Sequence, residues 1–323
     1  MKNLRIVFMG TPEFAVATLG SLIMNGFNVV GVVTAPDKPS GRGRKITQSA
    51  VKECAEFNSL PIMQPANLKD PGFISELSLL NADLFIVVAF RMLPEAVWKI
   101  PAIGTINLHA SLLPDYRGAA PINHAIINGE TVTGVTTFFI DEKIDTGKIL
   151  LREEVPIFPF ENAGDLHDRL MKYGTRLVIK TIADIAEDNI NPLPQGQLAA
   201  GQTLKQAPKI HSADCIIDWN NDAVKIHNLI RGLAPLPCAK SFFKNNSSNL
   251  SFKIFESHPE FEKHTFKPGQ MISDGKHFIK VACRDGFINI VNLQLEGKTR
   301  MNTAEFLKGF RIADYSVTAS LPA

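Results

Sequence analysis

Residues 104–118 read G-T-I-N-L-H-A-S-L-L-P-D-Y-R-G and decide how the rest of the chain is interpreted. Residues 105–109 are predicted to end a β-strand, in which side chains two positions apart share one face. Asn107 and His109 therefore point to the same side, and the apolar residues between them can pack on the other. An amide can donate to a developing oxyanion, and an imidazole can carry a proton near neutral pH. This face is therefore a candidate catalytic surface.

The spacing of Asn107 and His109 leaves a second interpretation open. A single histidine at the end of a strand is more often a hydrogen-bonded structural residue than a catalytic one. A carboxylate would complete a catalytic set, and Asp145 supplies one from the loop D-E-K-I-D-T-G at residues 141–147.

The N-terminal part predicts a doubly wound α/β fold with a mostly parallel, Rossmann-like sheet. An apolar strand at 4–9 is followed by G-T-P-E-F and a helix, but a G-x-G-x-x-G motif is absent, which argues against a nicotinamide or flavin cofactor. Residues 83–90, D-L-F-I-V-V-A-F, are predicted to be the central strand. Ligands of such sheets bind beyond the carboxyl ends of the strands. Arg91 and Met92, at the exit of this strand, should therefore face the same crevice as His109.

Hydrophobic periodicity predicts the remaining elements. Further helices are expected at 46–58, 69–80, 118–128, 162–187 and 222–232, and further strands at 28–35, 60–64, 132–140, 148–157, 250–256, 277–283 and 287–294.

Length and composition indicate an ordinary globular protein of two domains. The chain has 323 residues, of which 45% are hydrophobic and 20% charged. No apolar run reaches the roughly 20 residues that span a bilayer. The four cysteines are scattered, without a C-x-x-C pair, so neither a disulfide framework nor a zinc site is expected. We expect a cytoplasmic location and no membrane partner.

The chain is predicted to divide at a linker rich in Gly, Pro and Gln. Residues 1–190 form the α/β domain, 191–207 the linker, and 208–323 a smaller domain of short strands typical of an OB-like β-barrel. Residues 204–323 hold 16 basic and 11 acidic residues, a formal charge of +5. Such an excess fits a polyanionic partner, although a solvated surface explains it equally well.

Residues 35–45, A-P-D-K-P-S-G-R-G-R-K, form a basic stretch whose prolines and glycines predict an irregular loop. Its four cations, Lys38, Arg42, Arg44 and Lys45, could contact phosphates. A solvated loop that only aids solubility is an equal alternative.

Longer strings resemble the signature of the folate-dependent formyltransferases. The most specific one begins at Asn107, N-L-H-A-S-L-L-P-D-Y-R-G-A-A-P-I, and is followed by the D-T-G loop of Asp145. F-M-G-T-P-E-F-A-V at 8–16 and P-D-K-P-S-G-R-G-R-K at 36–45 agree with it, and I-R-G-L-A-P-L-P at 230–237 and L-E-G-K at 295–298 agree more weakly.

The resemblance implies an enzyme with a formyltransferase domain and a C-terminal β-barrel that binds tRNA. The implied formyl donor is 10-formyltetrahydrofolate, and the implied acceptor is the α-amino group of methionine carried by initiator tRNA. It implies neither a metal nor a DNA partner.

The resemblance also assigns roles by position. Asn107, His109 and Asp145 match the catalytic residues, with an oxyanion donor, a proton carrier and a carboxylate that orients or charges the imidazole. The implied folate contacts are Ser111, Leu112, Leu113 and Pro114 in one turn, with Arg91 and Met92 beside the pterin pocket. The implied tRNA contacts are Lys38, Arg42, Arg44, Lys45 and Lys298. Two departures from the family pattern are Leu236, where relatives often have an aromatic residue, and the pair Arg91-Met92, which replaces a glycine-containing segment.

Two alternatives remain at this point. The same catalytic string serves formyltransferases that act on small amines, namely amino sugars or glycinamide ribonucleotide, but those acceptors need neither a basic loop nor a basic barrel. The second alternative is a non-catalytic RNA-binding protein on the same scaffold. Such a protein would have no use for Asn107, His109 and Asp145 together.

Overall fold

The computed structural model describes residues 3–40, 45–199, 201, 203–245 and 248–318. The strands are β1 (Arg5–Gly10), β2 (Asn28–Val33), β3 (Lys38–Ser40), β4 (Lys45–Thr47), β5 (Ile62–Met63), β6 (Leu84–Val88), β7 (Gly104–His109), β8 (Arg117–Gly118), β9 (Val132–Phe139), β10 (Ile149–Pro156), β11 (Gln206–Ala207), β12 (Ala239–Lys244), β13 (Asn249–Glu260), β14 (Met271–Ser273), β15 (Ile279–Ala282), β16 (Phe287–Leu295), β17 (Met301–Asn302) and β18 (Ser316–Thr318). The α-helices are α1 (Glu13–Met24), α2 (Ala50–Phe57), α3 (Pro71–Leu79), α4 (Glu95–Trp98), α5 (Pro121–Ile127), α6 (Ala163–Ala186), α7 (Gln195–Leu198), α8 (Ala223–Leu233) and α9 (Thr303–Gly309).

These elements pack into two units. The first takes its described residues from 1–118, 133–155 and 168–206, and the second from 119–132, 156–167 and 207–323. The chain therefore enters the second unit twice before it completes the first. Within the described ranges, no helix is both long and apolar enough to cross a bilayer.

The first unit is built on a seven-stranded sheet in the order β10-β9-β7-β6-β1-β2-β5. β1 runs parallel to β2 and β6, β6 runs parallel to β7, and β9 runs antiparallel to β7. β6 is the middle strand and is buried along its whole length. The predicted mostly parallel α/β sheet is thus confirmed, and the strand predicted to be central at 83–90 is β6, at 84–88.

Both faces of this sheet are covered by helices. On one face, Phe73 and Leu77 of α3 belong to the same buried cluster as Phe85 and Val87 of β6. On the other face, α6 approaches β7 at Gly174, where an added Cβ would lie 2.7 Å from the nearest Leu108 methyl carbon. The two-sided burial explains why the strands are almost continuously apolar.

The second unit contains an antiparallel, barrel-like sheet in the order β14-β15-β16-β13-β12-β18, with β17 added to β16. The sheet curls back on itself: a Cβ added to Gly269, just before β14, would lie 3.2 Å from the Val317 carbonyl oxygen in β18. Phe243 and Phe252 stack in its core with ring centroids 3.9 Å apart. This architecture confirms the predicted C-terminal β-barrel.

The predicted irregular loop at 35–45 is wrong at 38–40 and 45, because β3 and β4 pair there as an antiparallel ribbon; residues 35–37 are irregular, and 41–44 lie outside the described residues. Pro39 stands opposite Ile46 in that ribbon. A two-stranded ribbon has free edges on both sides, where a proline without an N–H can be accommodated. The ribbon also shortens the predicted helix at 46–58, which begins only after the Ser49 hydroxyl accepts a hydrogen bond from the Lys52 N–H.

Candidate active site

The end of β7 separates polar and apolar side chains as the alternation predicts. Ile106 and Leu108 are buried, and Leu108 packs against α6 as described above. Asn107 and His109 share the opposite face, and Asn107 is only half-buried. The Asn107 amide has no hydrogen-bond partner within the described part of the chain. It is therefore available to donate to a substrate.

His109 is buried, and its tautomer follows from its hydrogen bond. Nε2 lies 2.8 Å from the Tyr116 carbonyl oxygen, which can only accept, so Nε2 donates. Tyr116 adopts a left-handed backbone conformation with φ 61°, and its own N–H donates to the Lys205 carbonyl oxygen. The other ring nitrogen, Nδ1, is left as the atom that can take up a proton.

Asp145 lies on the Nδ1 side of this ring. Its Oδ2 is 3.9 Å from His109 Nδ1 and accepts a 2.9 Å hydrogen bond from the Gly118 N–H. A separation of 3.9 Å is too long for a direct hydrogen bond, so the carboxylate acts on the imidazole as a nearby charge. Both side chains are largely shielded from water, with 7% of the His109 and 13% of the Asp145 side chain exposed.

The arrangement therefore joins an unpaired amide donor, an imidazole with one free nitrogen and a carboxylate beside that nitrogen. A protonated imidazole would be stabilised by Asp145, while the amide could stabilise negative charge on a reacting oxygen. Such a set suits acyl transfer, in which a tetrahedral adduct forms and one proton must move.

The side chains of the turn at 111–114 are used mainly for packing and hydrogen bonding within the fold. The Ser111 hydroxyl donates to the Asp115 carbonyl oxygen, and Leu113 belongs to a buried cluster with Phe138 and Ile149. Ser111, Leu113 and Pro114 are buried, and Leu112 is partly exposed. Side-chain contacts from this turn to a ligand would therefore fall mainly to Leu112.

Arg91 and Met92 lie at the exit of β6, on the rim of a groove of about 640 Å³. The Arg91 guanidinium donates to the carbonyl oxygens of Ala66, at 3.0 Å, and Pro65. The groove is lined by residues 66–69 and 91–96 together with Ile74. The lining combines apolar walls with two cations, Lys69 and Arg91, and one carboxylate, Glu95, which is paired with Lys99, so it could hold a flat, partly apolar anion.

The predicted tRNA contacts are spread over both units. Lys38 is exposed in β3, Lys45 begins β4, and Lys298 is exposed just before β17. Arg42 and Arg44 lie outside the described residues. The base of the β3–β4 ribbon is held by Asp37, which accepts from Lys52 Nζ at 2.6 Å and from Gln64 at 2.7 Å. These two hydrogen bonds, Lys52 first, lower the pKa of the Asp37 carboxyl.

Two features of the structure are not among those predicted from the sequence. Gln195, in the predicted linker, is buried and hydrogen-bonded to the Asp145 loop, and its aperiodic surroundings carry no signal of this. Lys240 and Lys253 stand directly opposite each other on β12 and β13, and neither forms a salt bridge with a described residue. The period-two alternation of these strands could have placed both lysines on the outer face.

The two units and the site define a class of protein. Residues 4–182 match the family described as formyl transferase, and residues 209–311 match its C-terminal domain. The chain belongs to the formyltransferase family. A methionyl-tRNA formyltransferase of Flavobacterium johnsoniae is 55% identical to it over 97% of this chain and 98% of the relative. A methionyl-tRNA formyltransferase of Bacteroides thetaiotaomicron is 51% identical, with the same coverage.

Among solved structures, the fold resembles an N-formyltransferase of Helicobacter canadensis in complex with folinic acid and dTDP-3-aminofucose. The TM-score is 0.64 at 22% identity, covering 89% of this chain and 98% of the other. At that identity the likeness supports the fold.

Proposed function

We propose that this protein transfers the formyl group of 10-formyltetrahydrofolate to the α-amino group of initiator methionyl-tRNA, giving N-formylmethionyl-tRNA for translation initiation in the cytoplasm. The observation that carries the proposal is the meeting of His109 and Asp145, 3.9 Å apart, at the end of the strand that also holds Asn107. The full-length relatives named above are methionyl-tRNA formyltransferases.

The reaction forms one C–N bond and breaks another. The methionyl amine attacks the formyl carbon, and the tetrahedral adduct carries a negative oxygen and a positive nitrogen. Asn107 donates to that oxygen. The proton leaves the former amine through His109 Nδ1 and reaches N10 of the departing tetrahydrofolate. Asp145 stabilises the imidazolium while it exists, since its carboxylate lies on the Nδ1 side of the ring.

The donor is placed by the groove at the exit of β6. Leu68, Ile74 and Leu93 offer an apolar wall to a ring, and Lys69 and Arg91 offer positive charge to a carboxylate tail. Met92 and the turn at 111–114 complete the proposed folate contacts. The groove supports a folate-type donor because its lining combines these two chemistries.

The acceptor is held by positive charge in both units. The proposed phosphate contacts are Lys38, Arg42, Arg44, Lys45 and Lys298. Lys240 and Lys253, which form no salt bridge with a described residue, add to them. On this proposal residues 1–190 carry catalysis, 191–207 link the domains and 208–323 bind tRNA.

The direct test is formyl transfer by the purified protein with 10-formyltetrahydrofolate. Charged initiator methionyl-tRNA, an amino-sugar nucleotide and glycinamide ribonucleotide are offered as separate acceptors. Transfer to the tRNA alone is expected. Transfer to a small amine in preference to the tRNA would instead identify a small-molecule formyltransferase, and tRNA binding without any transfer would identify a non-catalytic RNA-binding protein.

A further inference from the structure

Gln195 is an unusual residue for a linker. It opens the short helix α7 and is only 3% exposed. A buried amide is costly unless both of its polar atoms are paired. Here both are paired, and the partners are all in the neighbourhood of the candidate site.

The two ends of the Gln195 side chain reach different segments. Nε2 donates to the carbonyl oxygens of Asp145 and Gly147, each at 2.9 Å. Oε1 accepts from Arg117 through Nε at 3.1 Å and through a terminal guanidinium nitrogen at 2.6 Å. Gln195 therefore joins β8 to the loop that carries the catalytic carboxylate.

The Asp145 loop needs such support. Asp145 has φ 55°, in the left-handed region that residues with a Cβ rarely adopt. At Gly147 an added Cβ would lie 1.6 Å from the Phe139 carbonyl oxygen, so the loop folds back tightly on β9. Strained backbone of this kind persists only where surrounding contacts hold it.

The segment 116–118 ties the catalytic groups together. The Tyr116 carbonyl fixes His109, and the Gly118 N–H fixes the Asp145 carboxylate. Arg117, between them, reaches Gln195, which holds the Asp145 backbone. The imidazole and both polar ends of Asp145 are thus all held from the same three-residue segment, directly through Tyr116 and Gly118 and, for the Asp145 carbonyl, through Arg117 and Gln195.

We propose that Gln195 is a positioning residue for the formyl-transfer reaction, which sets the distance between Asp145 and His109 by clamping the Asp145 loop to Arg117. This inference rests on the proposed function, because it assigns Gln195 a role through the catalytic Asp145. Both polar atoms of the Gln195 side chain are engaged by Arg117 and the Asp145 loop, so Gln195 acts through these groups.

The test compares a variant that removes the whole clamp with a variant that removes only its contact to the Asp145 loop. Gln195→Leu removes the hydrogen bonds to both Arg117 and the Asp145 loop and keeps a side chain of similar volume. Gln195→Glu keeps acceptor oxygens for Arg117 and removes the donor to the loop. Both should lower kcat about ten- to a hundredfold, because a displacement of about 1 Å at a catalytic group can cost that much. The KM values for tRNA and folate should change by less than about twofold, because only positioning of the carboxylate is lost. Gln197→Leu, at an exposed glutamine of the same helix, is the matched control and should leave kcat unchanged.

A double-mutant cycle separates positioning from folding. In an Asp145→Asn background, Gln195→Leu should cause little further loss of kcat, since its effect passes through Asp145. An equal loss in both backgrounds, or a wild-type kcat in Gln195→Glu, would overturn the inference. Neither result touches the proposed function, which fails only if the wild-type protein does not formylate methionyl-tRNA.

Discussion

At the scale of single residues, Asn107 is the clearest test of the site. Its amide has no hydrogen-bond partner in the described structure, so removing it should leave the fold undisturbed. Loss of one oxyanion donor typically costs about 3–4 kcal/mol in the transition state. Asn107→Ala should therefore lower kcat by about two to three decades with little change in the thermal midpoint. Single-turnover formyl transfer measures this, and a variant that keeps more than about a tenth of the wild-type rate would remove Asn107 from the role.

The residues of the site show which of its features can be predicted from the sequence. The shared face of Asn107 and His109 follows from the two-residue period of a strand, and the structure confirms it. The hydrogen bond from His109 to the Tyr116 carbonyl does not follow, because it depends on a left-handed backbone conformation seven residues away. The role of Gln195 cannot be predicted from the sequence either, because fifty residues separate it from Asp145, whose carbonyl oxygen accepts its hydrogen bond.

At the scale of elements, the packing of α6 on β7 limits what position 174 can hold. Alanine in place of a helical glycine usually stabilises by up to about 1 kcal/mol. A Cβ at Gly174, however, would lie 2.7 Å from Leu108, and over-packing costs about 1–3 kcal/mol. We expect Gly174→Ala to destabilise the protein in urea unfolding and to lower kcat, because Leu108 lies between Asn107 and His109.

The control for this prediction is Gly20→Ala in α1, where nothing lies within 4 Å of the added carbon. That variant should gain stability. If Gly174→Ala also gains stability, the close approach of α6 to β7 does not restrict the site.

Elements with a strong period are the ones that the sequence predicts best. The observed bounds of β6, β7 and α6 lie within a few residues of the predicted ones, because each element buries a continuous face. The β3–β4 ribbon is not predicted, because proline and glycine are typical of irregular loops and an isolated ribbon tolerates both. Pairing between two short strands leaves almost no hydrophobic pattern to detect.

At the scale of the whole molecule, the stability of the second unit should depend on pH through His227. Burial first, and the charge of Arg231 second, lower the pKa of His227 to about 4. The folded state therefore binds fewer protons than the unfolded state between the folded pKa and the ordinary pKa of about 6.5. Stability is fully present above pH 6.5 and falls as the pH drops, by at most about 2 kcal/mol at pH 5.

Urea unfolding followed by the fluorescence of the buried Trp219 measures this dependence. His227→Gln should flatten the change between pH 6.5 and 5, since glutamine does not titrate. His211→Gln, at an exposed histidine of the same unit, should leave it as in the wild type. A wild-type slope in His227→Gln would mean that other groups set the acid sensitivity.

Two lysines of the second unit predict how binding of the tRNA acceptor depends on salt. Lys240 and Lys253 face each other across β12 and β13, an arrangement that costs free energy through repulsion. Because neither lysine forms a salt bridge with a described acidic residue, we expect the pair to bind phosphates of the tRNA. In Lys240→Gln with Lys253→Gln, the slope of log KM for tRNA against log salt should become shallower by about 0.7 to 0.9 per lost phosphate contact.

The kcat at saturating tRNA should be unchanged in this double variant, because the pair lies on the barrel and takes no part in proton transfer. Stability should rise slightly, by about 0.2–1 kcal/mol, as the repulsion is removed. Lys263→Gln with Lys276→Gln removes the same charge from exposed positions of the same unit, so it isolates the contact from the diffuse field. Equal salt slopes in the two double variants would mean that tRNA binding depends only on the net charge of the barrel. Lys240 and Lys253 would then not contact the tRNA.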